Sequence, residues 1–488
     1  MAHPMKQGTG KYLKYMGKYR RLGKNTLLVF IGNAGAKLIG LLMLPFYTRW
    51  FSVEDYGTTD IITVYVTFLM YIVTCSLAEA IFVFPKGAER EKQKSYFSSG
   101  VAFLCFSFCL TALLFALAEW LFACYGIENS FTKNTWLVYG MLVGMSLQQF
   151  AQQFTRSIDK MVVYSVTGVV LTGFTALLAF MLIPHWGVKG YVWSIIGANL
   201  LAALYSVLCS KGYTFFSFRS VSGHSCKEML KYTVPLIPNG IMWWLVNAFN
   251  RPLMESHLGM HAIGIFAVSN KFPGILSMLF TVFVSSWQIS VLEEFGKKGY
   301  SEFFNRVFRL VVTGLFVIFV GITLCSKLLV TLFATEEFYD AWRYIPILTL
   351  GAMFSCISGF AGSNFSATRE SKYFFYSSVW GAVTAVVFNF ALIPLLGIWG
   401  VALSILLSFV VMAFARIAYG WKYVHITHIG KYGYILGLGA LLIVSANMIS
   451  CIWINISVAL GVLLIILFIN RDLLWMIKDK LVKYRLYR

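Results

Sequence analysis

The sequence predicts an all-α polytopic membrane protein of about fourteen transmembrane helices, with both termini cytoplasmic. Three observations predict it. Apolar runs of membrane length succeed one another along the chain, basic residues crowd onto alternate connections between them, and two distant stretches repeat each other. Of the 488 residues 59% are hydrophobic and only 12% charged, which leaves no room for a large soluble domain.

The first run, 25–46, follows a polar, basic segment (1–24) and is too long for the apolar core of a signal peptide, so no cleavable signal is expected. The second, 59–84, begins beyond the polar turn Ser52–Gly57. Runs at 97–124, 135–155, 161–183 and 188–210 complete a first group of six, an N-lobe over 25–210. A polar linker, 211–231, separates it from a C-lobe over 232–421, with runs at 232–252, 262–291, 307–332, 343–366, 373–394 and 399–421. Two more, 432–450 and 451–470, precede a basic tail, 471–488. Most reach about 20 residues, enough to cross a hydrocarbon core at helical rise.

Counted from a cytoplasmic N-terminus, alternate connections hold 32 of the 40 Lys and Arg residues: Lys6 to Lys24, Lys86 to Lys94, Arg156 with Lys160, Lys211 to Lys231, Lys297 to Arg309, Arg369 with Lys372, Arg416 to Lys431, and Arg471 to Arg488. The positive-inside rule then fixes the orientation. A net charge of +20 could suit nucleic acid, but these cations sit beside helix ends, where they face anionic headgroups. No nucleic-acid partner is expected.

Several chemistries are excluded. The nine cysteines lie mostly in apolar runs, as Cys105, Cys109 and Cys325 do, and no CxxC occurs, so neither a disulfide framework nor a zinc site is indicated. Gly32 to Lys37 has the wrong spacing for a P-loop, and HExxH is absent. His257 and His261 have only Glu255 nearby and read as interfacial or solvated. Glu336, Glu337 and Asp340 read as a solvated face, and the outer loops are too short for a hydrolytic or transferase constellation.

Two stretches read almost alike: Leu182-Ile183-Pro184-His185-Trp186-Gly187-Val188-Lys189-Gly190 to Ser194, and Leu392-Ile393-Pro394-Leu395-Leu396-Gly397-Ile398-Trp399-Gly400 to Ser404. Pro184, Gly187, Gly190 and Ser194 match their counterparts without a gap, 210 residues apart. Lys160, Tyr164 and Ser165 echo Lys372, Tyr376 and Ser377 at a spacing of 212, and Arg49 echoes Arg251 more loosely. Each match sets a span over the sixth span after it. An even offset keeps orientation, so the halves form a parallel repeat about an axis along the membrane normal, a transporter architecture.

Charges inside the spans mark the candidate site, because a Lys or Arg at the bilayer centre costs roughly 2.5–3.5 kcal/mol on insertion scales. Lys37 in the first span and Lys271 in the eighth are the leading candidates; Arg49 and Arg251 lie at the outer ends of the first and seventh. Lys37 reads as a cavity cation or as half of a pair with an acid such as Glu79. Arg49 and Arg251 read as cavity cations or as side chains snorkelling to outer headgroups. Asp60 and Glu79 are candidates for ion coupling or charge pairing, while Glu119 and Lys327 read as interfacial. Pro273-Gly274 after Lys271 predicts a bend or hinge, and Pro235 and Pro238 predict another at the start of the seventh span.

The passage Asn33 to Arg49 with Ser52-Val53-Glu54-Asp55-Tyr56-Gly57, then Pro235-Leu236-Ile237-Pro238-Asn239, Asn250-Arg251, and Gly264-Ile265-Phe266-Ala267-Val268-Ser269-Asn270-Lys271-Phe272 resemble the polysaccharide flippases of the multidrug/oligosaccharidyl-lipid/polysaccharide exporter superfamily. The resemblance covers roughly residues 20–470 through short, degenerate motifs. It implies two six-helix lobes and a carrier, not an enzyme. That carrier would move an undecaprenyl-pyrophosphate-linked oligosaccharide across a bacterial cytoplasmic membrane for O-antigen, capsule or exopolysaccharide synthesis. Its cationic cavity residues carry over to Arg49, Arg251 and Lys271, and less closely to Lys37. No cofactor is implied, and the expected surroundings are membrane lipids and other glycan-assembly proteins, with the monomer as the working unit.

A pyrophosphate is an anion, and moving charge along the field is worth ~2.3 kcal/mol per 100 mV, so an interior-negative potential favours its outward passage. H+ or Na+ coupling is compatible with such a carrier but not required. Two rival readings remain: a multidrug exporter of the same superfamily, which would show acids dominating the embedded charges, and a membrane-embedded glycan polymerase or glycosyltransferase.

Overall fold

The computed structural model describes residues 39–126, 129–368, 370–426, 433–449 and 451–470. Among them there is no strand. Among the described residues, eight stretches are long and apolar enough to cross a membrane: Val53–Val73, Arg90–Tyr125, Met161–Ser210, Gly223–Glu294, Tyr300–Phe333, Ile345–Thr368, Lys372–Leu396 and Ile398–Gly420. Met161–Ser210 folds back at Gly187, and Gly223–Glu294 holds four helices. Two shorter apolar helices follow, Gly433–Met448 and Trp453–Ile469. The class is the all-α polytopic one that the hydropathy predicts.

The helices used below are α1 (Leu44–Trp50), α2 (Val53–Val73), α3 (Leu77–Val83), α4 (Arg90–Tyr125), α5 (Thr135–Ser157), α6 (Met161–Ser210), α7 (Gly223–Thr233), α8 (Ile237–Asn247), α9 (Asn250–Ser269), α10 (Pro273–Glu294), α11 (Tyr300–Phe333), α12 (Ile345–Thr368), α13 (Ser371–Leu396) and α14 (Ile398–Gly420). By contact the chain forms two compact units. One runs from Tyr65 to Pro238 and takes in the chain just before Leu44; the other joins Leu44–Val64 to the chain from Asn239 onward.

In the first unit the expected second span is interrupted. Cys75 (φ 47°) and Ser76 (φ 53°) are consecutive non-glycine residues in the left-handed region, where an α-helix of L-residues cannot continue, so α2 stops and α3 starts afresh. The polar linker after α6 is a docked element. Ser98 Oγ donates to the Phe215 carbonyl at 3.1 Å and accepts from the Ser217 amide at 3.0 Å. Ser99 Oγ donates to the Ser222 carbonyl at 3.1 Å and accepts from the Ser222 amide at 2.9 Å. Two hydroxyls of α4 thus satisfy loop groups that would otherwise be orphaned. All nine cysteines are free, which makes orientation testable. In variants keeping one cysteine, an impermeant thiol reagent applied to intact cells should reach Cys124 and leave Cys226 unlabelled until the cells are permeabilised. Labelling of Cys226 in intact cells would reverse the orientation.

In the second unit an aromatic cluster holds α10, α11 and α12 together. The Trp287 ring stacks on Phe360 with centroids 4.5 Å apart and touches Phe304 at 5.7 Å, while its Nε1 donates to Ser363 Oγ at 2.9 Å. Burying the indole works here because its one polar atom is satisfied.

The sequence repeat is also a repeat of conformation. Gly187 (φ 52°, ψ −129°) turns α6 back on itself, and Gly397 (φ 58°, ψ −131°) does the same between α13 and α14. A Cβ on Gly190 would lie 2.3 Å from the Leu182 carbonyl oxygen, and one on Gly400 would lie 2.1 Å from that of Leu392, so both crossings require glycine. Helix starts at Met161 and Ser371 put the register at 210 throughout. The echo of Lys160, Tyr164 and Ser165 at 212 is therefore two residues out of structural register. An unbroken helix has no bulge in which to absorb two residues.

Candidate functional site

Among the candidate site residues the structure pairs Arg251 with Asp60, 191 residues away in sequence. Ser52 Oγ accepts the Asp55 amide at 3.1 Å, and Glu54 and Asp55 occupy the first turn of α2, where negative charge suits the helix dipole. Asp60 follows on that helix. Arg251 stands in the first turn of α9, and its Nε donates to Asp60 Oδ2 at 3.2 Å. Nη1 donates to Asn250 Oδ1 at 2.9 Å and to the Asn247 carbonyl, and the guanidinium lies 4.7 Å from the Phe266 ring centroid. The Arg251 side chain is 6% exposed and that of Asp60 22%. A snorkelling arginine would keep its head in the headgroup layer; this one is buried, paired and hydrogen-bonded.

The head of α2 reaches α9 because two glycines remove the obstacle. A Cβ on Gly57 would lie 2.3 Å from the Met260 carbonyl oxygen, and one on Gly264 would lie 2.0 Å from that of Val53. Tyr56 meets Phe338 edge to face at 5.8 Å, and Thr335 Oγ1 donates to the Thr48 carbonyl at 3.0 Å. Backbone contact of this closeness sets the reach of Asp60 to Arg251.

The other candidates stand apart from that pair. Lys271 is exposed, in the three-residue break between α9 and α10, and has no carboxylate partner among the described residues. The expected bend at Pro273-Gly274 is a full interruption, since Pro273 opens α10 at a position where its missing N–H costs nothing. Phe272, fully buried, anchors the break against Phe333. Arg49 is exposed in an open pocket of about 860 Å³ that Glu336 and Glu337 also line, so carboxylates share its surroundings. Glu79 is exposed on α3 in the first unit. Lys37 lies outside the described residues. No described contact joins Arg49, Lys271 or Glu79 to the Arg251–Asp60 pair.

One cation escaped the sequence reading. Arg416 counts there among the charges of a cytoplasmic connection, yet it lies within α14 at 3% exposure. Its Nε donates to Ser377 Oγ at 3.0 Å and its Nη1 to the Ser358 carbonyl at 3.1 Å, with the Phe374 ring 5.0 Å away. The signal that could have found it is the repeat: at 210 residues back stands Ser206, a fully buried position.

Comparison with known proteins places this scaffold. Residues 22–288, more than half of the chain, match the family model described as polysaccharide biosynthesis protein. The chain belongs to that family. No curated protein sequence matches it. Among solved structures, this polysaccharide biosynthesis protein is similar to the lipid II flippase MurJ in an inward closed conformation. The TM-score is 0.73 at 14% identity, over 92% of this chain and 100% of that one. It is also similar to a multidrug resistance MATE family transporter of the MOP superfamily. The inward-facing form gives a TM-score of 0.64 at 12% identity, over 81% of this chain and 96% of that one. The outward-facing form gives 0.58 at 13%, over 83% and 95%. The polysaccharide biosynthesis protein therefore has the fold that MurJ and the MATE transporter share, and its run of long apolar helices makes it a multi-pass membrane protein.

Proposed function

We propose that the chain is a flippase that moves an undecaprenyl-pyrophosphate-linked oligosaccharide repeat unit from the inner to the outer leaflet of a bacterial cytoplasmic membrane. It works by alternating access through a cationic cavity, in the synthesis of O-antigen, capsule or exopolysaccharide. The observation that carries this reading is the union of a polysaccharide biosynthesis family with a carrier fold. Charge supports it further. Lys271 has no carboxylate partner among the described residues, whereas Asp60, the acid that the sequence placed at the start of a span, is already paired with Arg251. A carrier for cationic drugs would show the opposite balance. The pyrophosphate gives the cations their task, and the potential across the membrane favours its outward movement.

Lys37, Lys271 and Arg49 are the cations assigned to the headgroup, and Arg251, which Asp60 holds, is the fourth cation of the set. Lys271→Ala and Lys37→Ala should each cut export of the glycan at least about tenfold, the worth of one charge-assisted hydrogen bond, at unchanged abundance in the membrane. Arg251→Lys should be milder than Arg251→Ala, since charge survives although the bidentate fork is lost. Lys189→Ala, exposed at the turn within α6, should export normally. Normal export by both Lys37→Ala and Lys271→Ala would remove the cationic cavity from the mechanism.

A further inference from the structure

The two hairpins can be read against each other residue by residue at the register of 210. α6 spans Met161–Ser210; α13 and α14 span Ser371–Leu396 and Ile398–Gly420, with matching glycine turns. Each hairpin is closed by a side-chain hydrogen bond between residues 39 apart. In the first hairpin it is neutral: Thr167 Oγ1 and Ser206 Oγ lie 2.8 Å apart, both fully buried. In the second, Ser377 stands at the place of Thr167 and Arg416 at the place of Ser206, with Arg416 Nε donating to Ser377 Oγ at 3.0 Å.

The first hairpin shows that two hydroxyls suffice to close this crossing. The second carries a guanidinium there, and burying one is costly unless an anion accompanies it. No carboxylate pairs with Arg416 among the described residues. Its remaining contacts are the Ser358 carbonyl and the faces of Phe374 and Trp243, at 5.0 and 5.8 Å, which attract a cation without cancelling its charge. Two other cations of the same unit have a carboxylate: Arg251 has Asp60, and Lys422 Nζ lies 2.7 Å from Glu370 Oε2. A charge that the scaffold does not need and the protein does not neutralise is available to a ligand.

We propose that Arg416 is a substrate-binding cation, whose guanidinium engages phosphate oxygens of a lipid-linked pyrophosphate. This rests on the flippase reading. Arginine suits the task because its planar fork matches phosphate geometry and keeps its proton when buried. Trp243, whose ring centroid lies 5.8 Å from it, is on α8, a helix of 11 residues flanked by a 3-10 turn (Val234–Leu236) on one side and a break before Asn250 on the other. Displacement of that short helix would open one side of the guanidinium.

The test uses the purified full chain in detergent, with farnesyl pyrophosphate as probe and farnesol and inorganic pyrophosphate as comparisons. Wild type should bind the farnesyl ester, farnesol not measurably, and inorganic pyrophosphate at least tenfold more weakly than the ester. R416S, which installs the residue found at the matching place in the first hairpin, should melt as wild type does and bind the ester at least about tenfold more weakly. R416K should fall between them. Equal binding by R416S would overturn the assignment, and so would loss of folding in R416S, which would make Arg416 a brace. Equal binding of inorganic pyrophosphate and the ester would overturn the lipid-linked form. Absence of ester binding in wild type would remove the pyrophosphate substrate itself, and Arg416's role with it.

Discussion

Replacing Asp60 with alanine should destabilise the protein by about 3–5 kcal/mol, the usual cost of stranding one partner of a buried ion pair. The two halves of this pair are not equivalent. Arg251 is 6% exposed and has nowhere to rehydrate its charge, whereas Asp60, at 22%, retains some access to solvent. Asp60→Ala should therefore cost more than Arg251→Met, and the double variant should recover most of the loss, since it removes the stranded charge. Denaturant unfolding of the four proteins in detergent measures all three differences. A neutral Asp60→Ala would mean that the asparagine contacts of Arg251 suffice to hold its charge.

Gly264→Val should be as damaging, at about 3 kcal/mol or more, for a steric reason. The atom that a Cβ at 264 would strike is the Val53 carbonyl oxygen, at 2.0 Å, and backbone cannot swing aside as a side chain can. α2 and α9 must separate, which draws Asp60 from Arg251 and Tyr56 from Phe338. Gly264→Ala should show part of this loss. Gly321→Ala, in α11 with open space around its would-be Cβ, should be neutral or slightly stabilising. A melting series over these three variants checks the ranking, and normal stability of Gly264→Val would show that the crossing tolerates separation.

The helices were legible in the sequence because membrane spanning leaves a long, local signal, and the hairpins at Gly187 and Gly397 because their turn residues sit within ten positions of each other. Helix interruptions were only half legible. Pro273 announces a disturbance, but whether α9 bends or stops depends on Phe272 finding a buried seat, which is a tertiary fact. Nothing local announces the break at Cys75 and Ser76, since neither residue favours the left-handed region. The pairing of Asp60 with Arg251 was out of reach for the same reason, being set by the Gly57–Gly264 crossing. Arg416 is the instructive case. Near the end of an apolar run a cation reads as topogenic, and only the register of the repeat shows that its position faces the interior.

The most direct measurement is mass spectrometry of undecaprenyl-pyrophosphate-linked saccharides from cells depleted of this chain, with an impermeant sugar-modifying reagent to report sidedness. A flippase relocates its substrate without altering its mass, so the complete repeat unit should accumulate, protected on the cytoplasmic side. Accumulation of a truncated saccharide would point to a missing glycosyltransferase step. Accumulation of complete units exposed at the outer face would point to a missing polymerase step. Either result would contradict the carrier.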